Sequence, residues 1–341
     1  MKTDLQSLSA PEIESWVMRL GIKPYRGRQI QHWIFKRLAS SFEEMTDLPK
    51  SLRALLKEKG EISSLRKLNR LRSRDGTAKY LFELSDGHYI ESVLIPERGH
   101  YTLCISSQAG CAMNCRFCLT AKQGLKRNLR PSEIIDQVIQ VKKSMDDPEQ
   151  LTNIVLMGMG EPLANYEAVV KAIGILISEN GGDFSHRKVT LSTCGLVPQM
   201  KRLGRDITVN LAISLNATDD TTRNFLMPIN KKYPVKSLIE ACEGFTLPNR
   251  RMLTFEYVLI DGVNDRDEDA LQLCHLLSKL RAKINLIPLN PHPGLDMSPS
   301  PPGRILRFQE ILTENNFTAI IRKSKGSDIL AACGQLSGAY K

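Results

Sequence analysis

The chain has 341 residues, of which 42% are hydrophobic and 25% are charged, and its formal net charge is +10. This length suffices for one large domain plus a small one, and the composition is ordinary for a soluble globular protein. No run approaches the ~18 apolar residues of a membrane span, and the N-terminal MKTDLQSLSAPEIESW lacks the basic-then-apolar order of a signal peptide. We therefore expect a cytoplasmic protein without a membrane partner.

The positive charge is concentrated near the N-terminus. Residues 1–75 hold 16 Lys and Arg against 9 Asp and Glu, which gives +7 of the net charge. Because each neutralised phosphate releases counterions, a localised basic region favours RNA or DNA as a partner. A basic surface that only keeps the protein soluble is the alternative interpretation.

The first part of the chain is predicted to be helical and is followed by a β-hairpin. Helices are indicated by the amphipathic run RQIQHWIFKRL (28–38) and by PKSLRALLKEK (49–59), which starts with proline and precedes Gly60. The hairpin is predicted because AKYLFEL and HYIESVLI flank Ser85-Asp86-Gly87, a strong turn sequence.

From about residue 97 the pattern changes to strands that alternate with helices. The predicted strands are 102–107, 153–159, 188–193, 209–216, 253–260, 284–289 and 318–323, and helices are predicted over 132–145 and 268–282 among others. Apolar strands separated by helices indicate a parallel sheet covered by helices. Six or seven such units suit a barrel or a partial barrel, whose active site lies at the C-terminal ends of the strands.

Cysteine spacing provides the most specific signal. Cys111, Cys115 and Cys118 lie in GCAMNCRFC, an arrangement in which three thiolates can hold a [4Fe–4S] cluster and leave one iron open. An open iron can bind S-adenosylmethionine (SAM) and deliver an electron to it. The alternative is a structural zinc site that takes Cys104 as its fourth ligand. Cys194, which follows a predicted strand, is interpreted as a structural thiol.

The segment Met157-Gly-Met-Gly-Glu161-Pro162 follows the second predicted strand. Its glycines would let the backbone approach a ligand, and its carboxylate could bind an amino group. On its own the segment could also be a plain turn.

Taken together, these motifs resemble a known family. A C-x3-C-x2-C motif with an aromatic residue, Phe117, before its last cysteine resembles the signature of the radical SAM superfamily. With YIESV, TLCISSQAGC, the C-terminal GSDILAACGQLSG and the N-terminal PYRGRQIQHWIFKR and FEEMTDLPKSLR, the whole chain resembles the RlmN/Cfr family of RNA adenine methyltransferases.

The resemblance implies a fold and a domain division. The fold class is α/β: a partial (β/α)6 radical SAM barrel with a small N-terminal helical domain and a β-hairpin linker. The implied domains are a basic, helical RNA-binding domain over 1–62, the hairpin linker over 63–96, and a radical SAM core over 97–341 that ends in a segment with a catalytic cysteine.

The resemblance also implies the role of individual residues. Cys333 would carry the methyl group, Cys104 would resolve the protein–RNA link, and Glu91 would be the base. Cys111, Cys115 and Cys118 would hold the cluster. The positions that match SAM contacts in the family are Gly160, Glu161, Ser192, Ser214, Leu215, Asn216 and Asn290. Asn216 departs from the family pattern, which often has His there, although Asn can still form hydrogen bonds.

The implied activity is methylation of adenine C2 in 23S rRNA at the peptidyl-transferase centre, and of the tRNA adenine next to the anticodon. It would use a [4Fe–4S] cluster, two SAM molecules per turnover, and an electron donor such as flavodoxin or ferredoxin, in a monomeric enzyme. C2 has no lone pair, so the methyl group is first placed on a thiolate and then transferred by radical chemistry. The alternatives are methylation of adenine C8, as in the Cfr type, and a zinc-stabilised RNA-binding protein without catalysis. Pro162 favours C2.

Overall fold

One mixed sheet of ten strands forms the centre of the molecule. The structure is a computed structural model and describes residues 2–248 and 251–338. The strands are β1 (Thr3–Asp4), β2 (Gly60–Glu61), β3 (Arg66–Arg72), β4 (Ala78–Glu83), β5 (Tyr89–Glu97), β6 (His100–Cys104), β7 (Gln108–Gly110), β8 (Leu125–Asn128), β9 (Leu151–Leu156), β10 (Val189–Thr193), β11 (Asn210–Ser214), β12 (Leu253–Leu259), β13 (Ala282–Pro288) and β14 (Thr318–Ile321). The α-helices are α1 (Ala10–Arg19), α2 (Tyr25–Phe35), α3 (Lys50–Lys59), α4 (Leu119–Lys122), α5 (Pro131–Lys143), α6 (Tyr166–Ile177), α7 (Val197–Asp206), α8 (Asp220–Leu226), α9 (Val235–Glu243), α10 (Asp267–Leu277) and α11 (Pro302–Glu314). None of these helices combines the length and the apolar character needed to cross a bilayer, within the residues that the structure describes.

The N-terminal helices match the sequence pattern closely. α1 begins with a capping box, in which the Ser9 amide donates to Glu12 Oε2 at 2.7 Å. The helix predicted over 28–38 is α2, which starts three residues earlier and ends at Phe35. Leu38 just beyond it has a φ of 55°, a left-handed backbone conformation that cannot continue a helix. The helix predicted over 49–59 is α3.

The predicted hairpin is formed by β4 and β5, which pair antiparallel. In its turn the Leu84 amide donates to the His88 carbonyl at 2.8 Å, and Gly87 has a φ of 82°, which glycine adopts without strain. Together with β3, the hairpin continues the main sheet through antiparallel pairing of β5 with β6. Residues 63–96 therefore widen the sheet on one side, while the domain boundaries themselves stay predictions.

Seven parallel strands complete the sheet, in the order β6-β9-β10-β11-β12-β13-β14. Helices α5, α6, α7, the pair α8 and α9, α10, and α11 form the successive crossovers. The result is six β/α units and a terminal strand, which form an open sheet with β14 and β3 at its edges. The predicted partial (β/α)6 barrel is confirmed.

A small two-stranded ribbon encloses the cysteine motif. β7 and β8 pair antiparallel, and the residues between them form the cysteine loop and α4. Gly110 in β7 has a φ of 74°, and a Cβ there would lie 1.9 Å from the Gly124 carbonyl oxygen. Only glycine permits this approach, so the two ends of the cysteine loop are held together by close backbone packing.

Asp136 in α5 joins the N-terminal part of the chain to the barrel. Its buried carboxylate accepts hydrogen bonds from the Leu65 amide (2.5 Å) and from the side chains of Gln6 (3.3 Å) and Gln140 (3.2 Å). Burial raises the pKa of Asp136 to about 6 in spite of these hydrogen bonds. The junction therefore contains an acid that titrates close to neutral pH.

We predict that Asp136 makes stability depend on pH. Its folded-state pKa lies above the ordinary value of 3.8, so the folded protein binds the proton more tightly than the unfolded chain. The resulting stabilisation is present at low pH and is lost as the pH rises through about 6. Between pH 5 and pH 8 the free energy of unfolding should fall by about 1.4 kcal/mol through this group alone.

Urea unfolding of the wild type and of Asp136→Asn at pH 5, 6, 7 and 8 would measure this component, because the variant cannot titrate at that position. The free energy of unfolding of the wild type minus that of the variant should decrease from pH 5 to pH 8. A difference that stays constant with pH would contradict the prediction.

Candidate active site

A cavity lies at the carboxyl ends of the parallel strands, where the sequence predicts the active site. It is bounded by the cysteine loop, by the residues that follow β9, β10 and β11, by β12 and the end of β13, and by the C-terminal segment. Its lining includes Cys111, Cys115, Cys118, Gly160, Glu161, Ser192, Cys194, Ser214, Asn216, Glu256, Asn290 and Cys333. Ten of the thirteen predicted site residues thus share one cavity, and Glu91, Cys104 and Leu215 do not line it.

The three motif cysteines enter the cavity from one loop. The Cys118 amide donates to the Cys115 carbonyl at 3.1 Å, and the Leu119 amide donates to the Gly334 carbonyl at 2.7 Å, which fixes the loop against the C-terminal segment. Burial raises the pKa of Cys111 to about 12, and burial followed by the charges of the two neighbouring thiols raises the pKa of Cys115. Three thiolates here require a positively charged partner, which the irons of a cluster provide.

Within residues 2–248 and 251–338, no three His, Cys, Asp or Glu side chains are arranged to hold a single metal ion. A structural zinc site needs four ligands around one ion. A cubane cluster instead takes one thiolate on each of three separate irons, and the loop supplies three thiols for that purpose. The donor set therefore fits an iron–sulfur cluster.

Glu161 is a buried carboxylate in the cavity wall. It accepts hydrogen bonds from the Leu163 amide (2.9 Å) and the Cys194 amide (2.8 Å), and burial raises its pKa. No Lys, Arg or His in the described part of the chain forms an ion pair with it. A buried acceptor of this kind fits a ligand that brings its own ammonium group, as SAM does.

Gly160, which precedes Glu161, lines the cavity and also permits close packing of the backbone. Gly160 has a φ of 100°, and a Cβ there would lie 2.6 Å from Gln108 Cβ. The next residue binds the same side chain, since the Glu161 amide donates to Gln108 Oε1 at 2.8 Å. The glycine lets this segment lie directly on the chain after β6, which brings the carboxylate next to the cysteine loop.

The remaining predicted SAM contacts differ in how free their side chains are. Ser192 and Ser214 lie at the ends of β10 and β11 and line the cavity. Asn216 has a φ of 58°, a conformation that Asn tolerates, and its Oδ1 accepts from the Val258 amide at 2.8 Å. The Leu215 side chain is buried in the core, and its carbonyl accepts from Arg223 Nε at 2.9 Å.

Asn290 connects the cavity to the C-terminal segment. Its Nδ2 donates to the Cys333 carbonyl at 3.1 Å, and its Oδ1 accepts from the Ser324 hydroxyl. Cys333 is itself exposed at the cavity, where loss of hydration and then the negative charge of Glu256 raise its pKa to about 11. The residue predicted to bind SAM therefore also holds the predicted methyl carrier.

Glu91 and Cys104 lie behind the cavity on one face of the sheet. Glu91 pairs with Leu81 across β4, and Cys104 pairs with Val93 across β5, so both side chains point to the side covered by the C-terminal segment. Burial, followed by the charge of Cys333, raises the pKa of Cys104, so the two thiols lie within electrostatic reach of each other. Both are free thiols.

The Glu91 carboxylate is fully engaged in this structure. Oε1 lies 3.0 Å from Lys79 Nζ, and Oε2 accepts from the amides of Ser337 (2.7 Å) and Gly338 (3.0 Å). Lys79 also donates to the Leu330 carbonyl at 3.1 Å. The pair therefore holds the C-terminal segment on both sides of Cys333.

Three polar residues in or behind the cavity wall have notable contacts and were not predicted as site residues from the sequence. Glu256 is an isolated acid in the apolar strand LTFEYVLI, a pattern that could have revealed it; it is buried, accepts from Asn285 Nδ2 at 2.8 Å, and burial raises its pKa. Cys194, interpreted as structural, lines the cavity beside Glu161.

Arg223 is the third, and it lies just behind the cavity wall. It is fully buried and donates to the carbonyls of Leu215 and Cys194 and to Asn230 Oδ1, at 2.8 to 2.9 Å. It forms no ion pair with a carboxylate of the described residues. One Arg among the many of a basic chain carries no distinguishing sequence signal.

Comparison with known proteins gives a consistent result. Residues 3–62 match the model of the ribosomal RNA large subunit methyltransferase N-terminal domain, and residues 105–274 match that of the Radical SAM superfamily. Two similar relatives are called dual-specificity RNA methyltransferase RlmN. The one from Desulfosudis oleivorans is 51% identical and the alignment covers 99% of this chain and 91% of that protein. The one from Geobacter sulfurreducens is 52% identical over 98% of this chain and 92% of that protein.

A solved structure is similar over the same extent. The crystal structure of a radical SAM methyltransferase from Sphaerobacter thermophilus superimposes with a TM-score of 0.93 at 43% identity, and the match covers 99% of this chain and 100% of that one. The barrel, the sheet extension and the N-terminal helices are thus shared as one architecture.

The geometry predicts that Glu256 suppresses the reactivity of Cys333. Glu256→Gln removes a negative charge that raises the pKa of the thiol, so more thiolate should be present at a given pH. Because the thiolate fraction changes tenfold per pKa unit, alkylation by iodoacetamide at pH 9 should become roughly two- to tenfold faster.

Mass spectrometry of the Cys333 peptide would measure the rate, with Glu240→Gln on the exposed side of α9 as the matched control. Equal rates in the wild type and Glu256→Gln would contradict the electrostatic effect. A slower rate would instead indicate that the carboxylate accepts the thiol proton.

Proposed function

This chain belongs to the RlmN family of the radical SAM superfamily, and we propose that it methylates C2 of an adenine in 23S rRNA, at the peptidyl-transferase centre, and of the tRNA adenine next to the anticodon. Methylation of RNA by radical SAM chemistry is the property of the family. The base position and the two RNA targets are the finer part of the proposal. The observation that supports it best is the convergence on one cavity of three motif cysteines, an exposed thiol, and a buried carboxylate that forms no ion pair with the described part of the chain.

The family implies an iron–sulfur cluster and SAM, and the cavity fits both. When bound, they supply the methyl group and the one-electron chemistry that a carbon without a lone pair requires. We propose a [4Fe–4S] cluster on Cys111, Cys115 and Cys118 and two SAM molecules per turnover. Around SAM, Glu161 would accept the amino group, and a set of strand-end residues would complete the site: Gly160, Ser192, Ser214, Leu215, Asn216 and Asn290.

Cys333 is the proposed carrier of the methyl group. It lies on an exposed turn over the cavity, held by Asn290 at its carbonyl. To act as a nucleophile it must lose its proton, and its raised pKa opposes this at neutral pH. The nearby charge of Arg322 acts in the other direction and lowers the pKa. The turn therefore requires a local base or cation when SAM is bound.

Release of the product is the proposed role of Cys104. Its thiolate attacks the Cys333 sulfur, an S–S bond forms, and the bond from that sulfur to the carbon on the RNA breaks. The electron pair of the broken bond stays with that carbon, which takes up a proton and becomes the methyl group. The two thiols end as a disulfide, so two electrons from a donor such as flavodoxin or ferredoxin must restore them.

Glu91 is the proposed acceptor of the C2 proton. Its position on the sheet face that carries Cys104 supports the assignment, while its contacts with Lys79 and with the amides of Ser337 and Gly338 occupy both carboxylate oxygens. Loosening of the C-terminal segment would free the carboxylate. In this proposal the base becomes active only when that segment moves.

The remaining parts of the proposal concern the setting of the reaction. Its RNA substrates are found in the cytoplasm, and the protein is proposed to act there as a monomer. The target adenine must be unstacked to reach a cavity at the strand ends, so a loop or flipped base is expected. A zinc-stabilised protein without catalysis finds no support among the relatives, which are methyltransferases.

Analysis of the modified nucleoside separates C2 from C8. We predict that RNA from the reaction, digested to nucleosides, contains 2-methyladenosine, because Pro162 of the GEP sequence favours the C2 enzymes. Chromatography against authentic 2- and 8-methyladenosine, with mass detection, is the measurement. Reactions that omit SAM are the control, and 8-methyladenosine as the product would overturn the C2 assignment.

The order of events is tested by Cys104→Ala. Cys333 can still take up the methyl group and become linked to the base, but no thiol attacks its sulfur. We predict a covalent protein–RNA adduct that shifts the band in a denaturing gel and disappears on nuclease digestion.

The matched control is Cys104→Ala combined with Cys333→Ala, which should give no adduct because the carrier is lost. Cys242→Ala, a buried thiol on α9, controls for the general effect of removing a cysteine. Wild-type turnover by Cys104→Ala would refute its role.

A further inference from the structure

β3 is the outermost strand of the sheet. Among the described residues it pairs only with β4, and the sheet order ends with it, so its other edge is free of any described strand. Six of its seven residues are exposed. At about 3.3 Å per residue, the strand spans roughly 23 Å, which is long for an exposed edge. This edge is the feature that the proposed chemistry leaves unexplained.

The charge of this strand is unusually one-sided. Residues 66–74 read RKLNRLRSR and hold five cations and no acid, whereas residues 1–65 hold eleven Lys and Arg against eight Asp and Glu. Arg66 forms an ion pair with Glu83 at 2.9 Å. The other four, Lys67, Arg70, Arg72 and Arg74, form no ion pair with any carboxylate of the described residues.

The N-terminal helices contrast with this strand. Lys36 forms an ion pair with Asp183 at 2.8 Å, Lys57 with Glu43 at 2.6 Å, and Arg28 with Glu14 at 3.8 Å. Four of the eleven cations of residues 1–65 are thus paired within the protein, counting Lys59 with Glu58. The other cations of residues 1–65 are spread among eight acids, whereas four cations that form no ion pair with the described residues lie within eight consecutive residues of β3 and the turn that follows it.

The register of β3 orients its cations. Lys67, Arg70 and Arg72 pair with Phe82, Tyr80 and Ala78 of β4, so they share one face of the sheet. The Arg70 guanidinium lies over the Tyr80 ring, 5.4 Å from its centroid. This contact holds the guanidinium on the same face as the other two cations and leaves its charge uncompensated. Three cations on alternate pleats form a line of positive charge along the edge.

Both ends of this line are anchored to functional parts of the molecule. Before the strand, the Leu65 amide donates to Asp136 at the junction with the N-terminal helices. After it, the Ser73 hydroxyl and the Arg74 amide donate to Asp328 at 2.6 and 3.2 Å, and the Gly326 amide donates to Asp75 at 3.0 Å. Asp328 precedes Cys333 by five residues. The two ends of the charged edge therefore contact the junction with the N-terminal helices and the segment of the proposed methyl carrier, while the cation row itself lies on the sheet face opposite to Lys79, Glu91 and Cys104.

Protection of an open edge against pairing does not account for this pattern. One or two charges of either sign prevent edge-to-edge association. Five cations in nine residues repel one another, and that repulsion is relieved when phosphates lie beside them. A second copy of this chain would bring the same positive row and is disfavoured for the same reason.

We propose that Lys67, Arg70, Arg72 and Arg74 of the β3 edge bind the sugar–phosphate backbone of the RNA substrate and guide it towards the Cys333 segment. This proposal rests on the proposed function, which it extends by naming a surface that binds the RNA. Contacts to phosphates fix the position of the RNA without reading its bases, so the surface serves both rRNA and tRNA.

The test is a fourfold variant, Lys67→Gln, Arg70→Gln, Arg72→Gln and Arg74→Gln. Its affinity for a fluorescein-labelled transcript of the peptidyl-transferase region of 23S rRNA is measured between 50 and 300 mM KCl. We expect the Kd at the lowest salt to rise at least about tenfold, and the slope of log K against log salt to flatten by about one unit per lost phosphate contact. SAM cleavage in the absence of RNA should match that of the wild type.

The matched control removes the same charge elsewhere: Lys201, Lys231, Lys236 and Lys279 to Gln, which are exposed and form no ion pair in the described part of the chain. It should keep the wild-type salt slope. A second variant, Arg70, Arg72 and Arg74 to Lys, keeps the charge and should restore most of the slope. If the fourfold variant aggregates, the double variant Arg72→Gln with Arg74→Gln tests the same surface, and the salt slope should then flatten by about half as much.

The outcomes separate this proposal from the one on which it rests. A wild type that methylates RNA, together with a fourfold variant that binds with an unchanged Kd and slope, overturns the β3 assignment alone. A wild type that methylates no RNA overturns the proposed function. A wild-type dimer that forms through this edge in light-scattering measurements would assign it to a second copy and would also overturn the proposal.

Discussion

The buried ion pair between Glu91 and Lys79 is the interaction on which the arrangement of the site depends. The carboxylate accepts from two amides near the C-terminal end of the described chain, and the ammonium group donates to the Leu330 carbonyl. Removal of either partner would leave a buried charge without compensation, which costs about 3–5 kcal/mol. The pair therefore holds the turn that carries Cys333 over the cavity, and it connects the stability of that turn to the sheet.

The sheet register makes this connection possible. Antiparallel pairing of β4, β5 and β6 places Lys79, Glu91 and Cys104 on the same face, next to the C-terminal segment. The parallel strands beside them end at one edge and supply the cavity. A slip of one residue in β5 would turn Glu91 to the opposite face, where the hydroxyl of its neighbour Ser92 donates to Gln137 of α5. The antiparallel extension thus decides where the two proposed product-release groups lie.

Charges without an ion pair lie at the places where the proposed ligands would bind. Within residues 2–248 and 251–338, Glu161 at the cavity forms no ion pair with a cation, and Arg223 behind it forms none with a carboxylate. On the outer edge, four cations of β3 and its turn form no ion pair with a carboxylate of the described residues. Because buried charge is costly and like charges repel, each of these places becomes more favourable when SAM, a cluster or RNA supplies the opposite charge.

Periodicity and spacing over a few residues were enough to predict the alternating strands and helices of the barrel, the hairpin at Ser85-Asp86-Gly87, the cysteine motif and the GEP segment. The edge strand β3 and the β7–β8 ribbon were not predicted. The contacts of Glu91, Asn290 and Glu256, and the burial of Leu215 in the core, became known only from the folded arrangement. The same holds for which cations are paired, since Lys36 finds its partner in Asp183, which is distant in the chain, whereas Lys67, Arg70 and Arg72 of β3 form no ion pair within the described residues. Local patterns encode elements, whereas burial, pairing and charge compensation depend on contacts across the sequence.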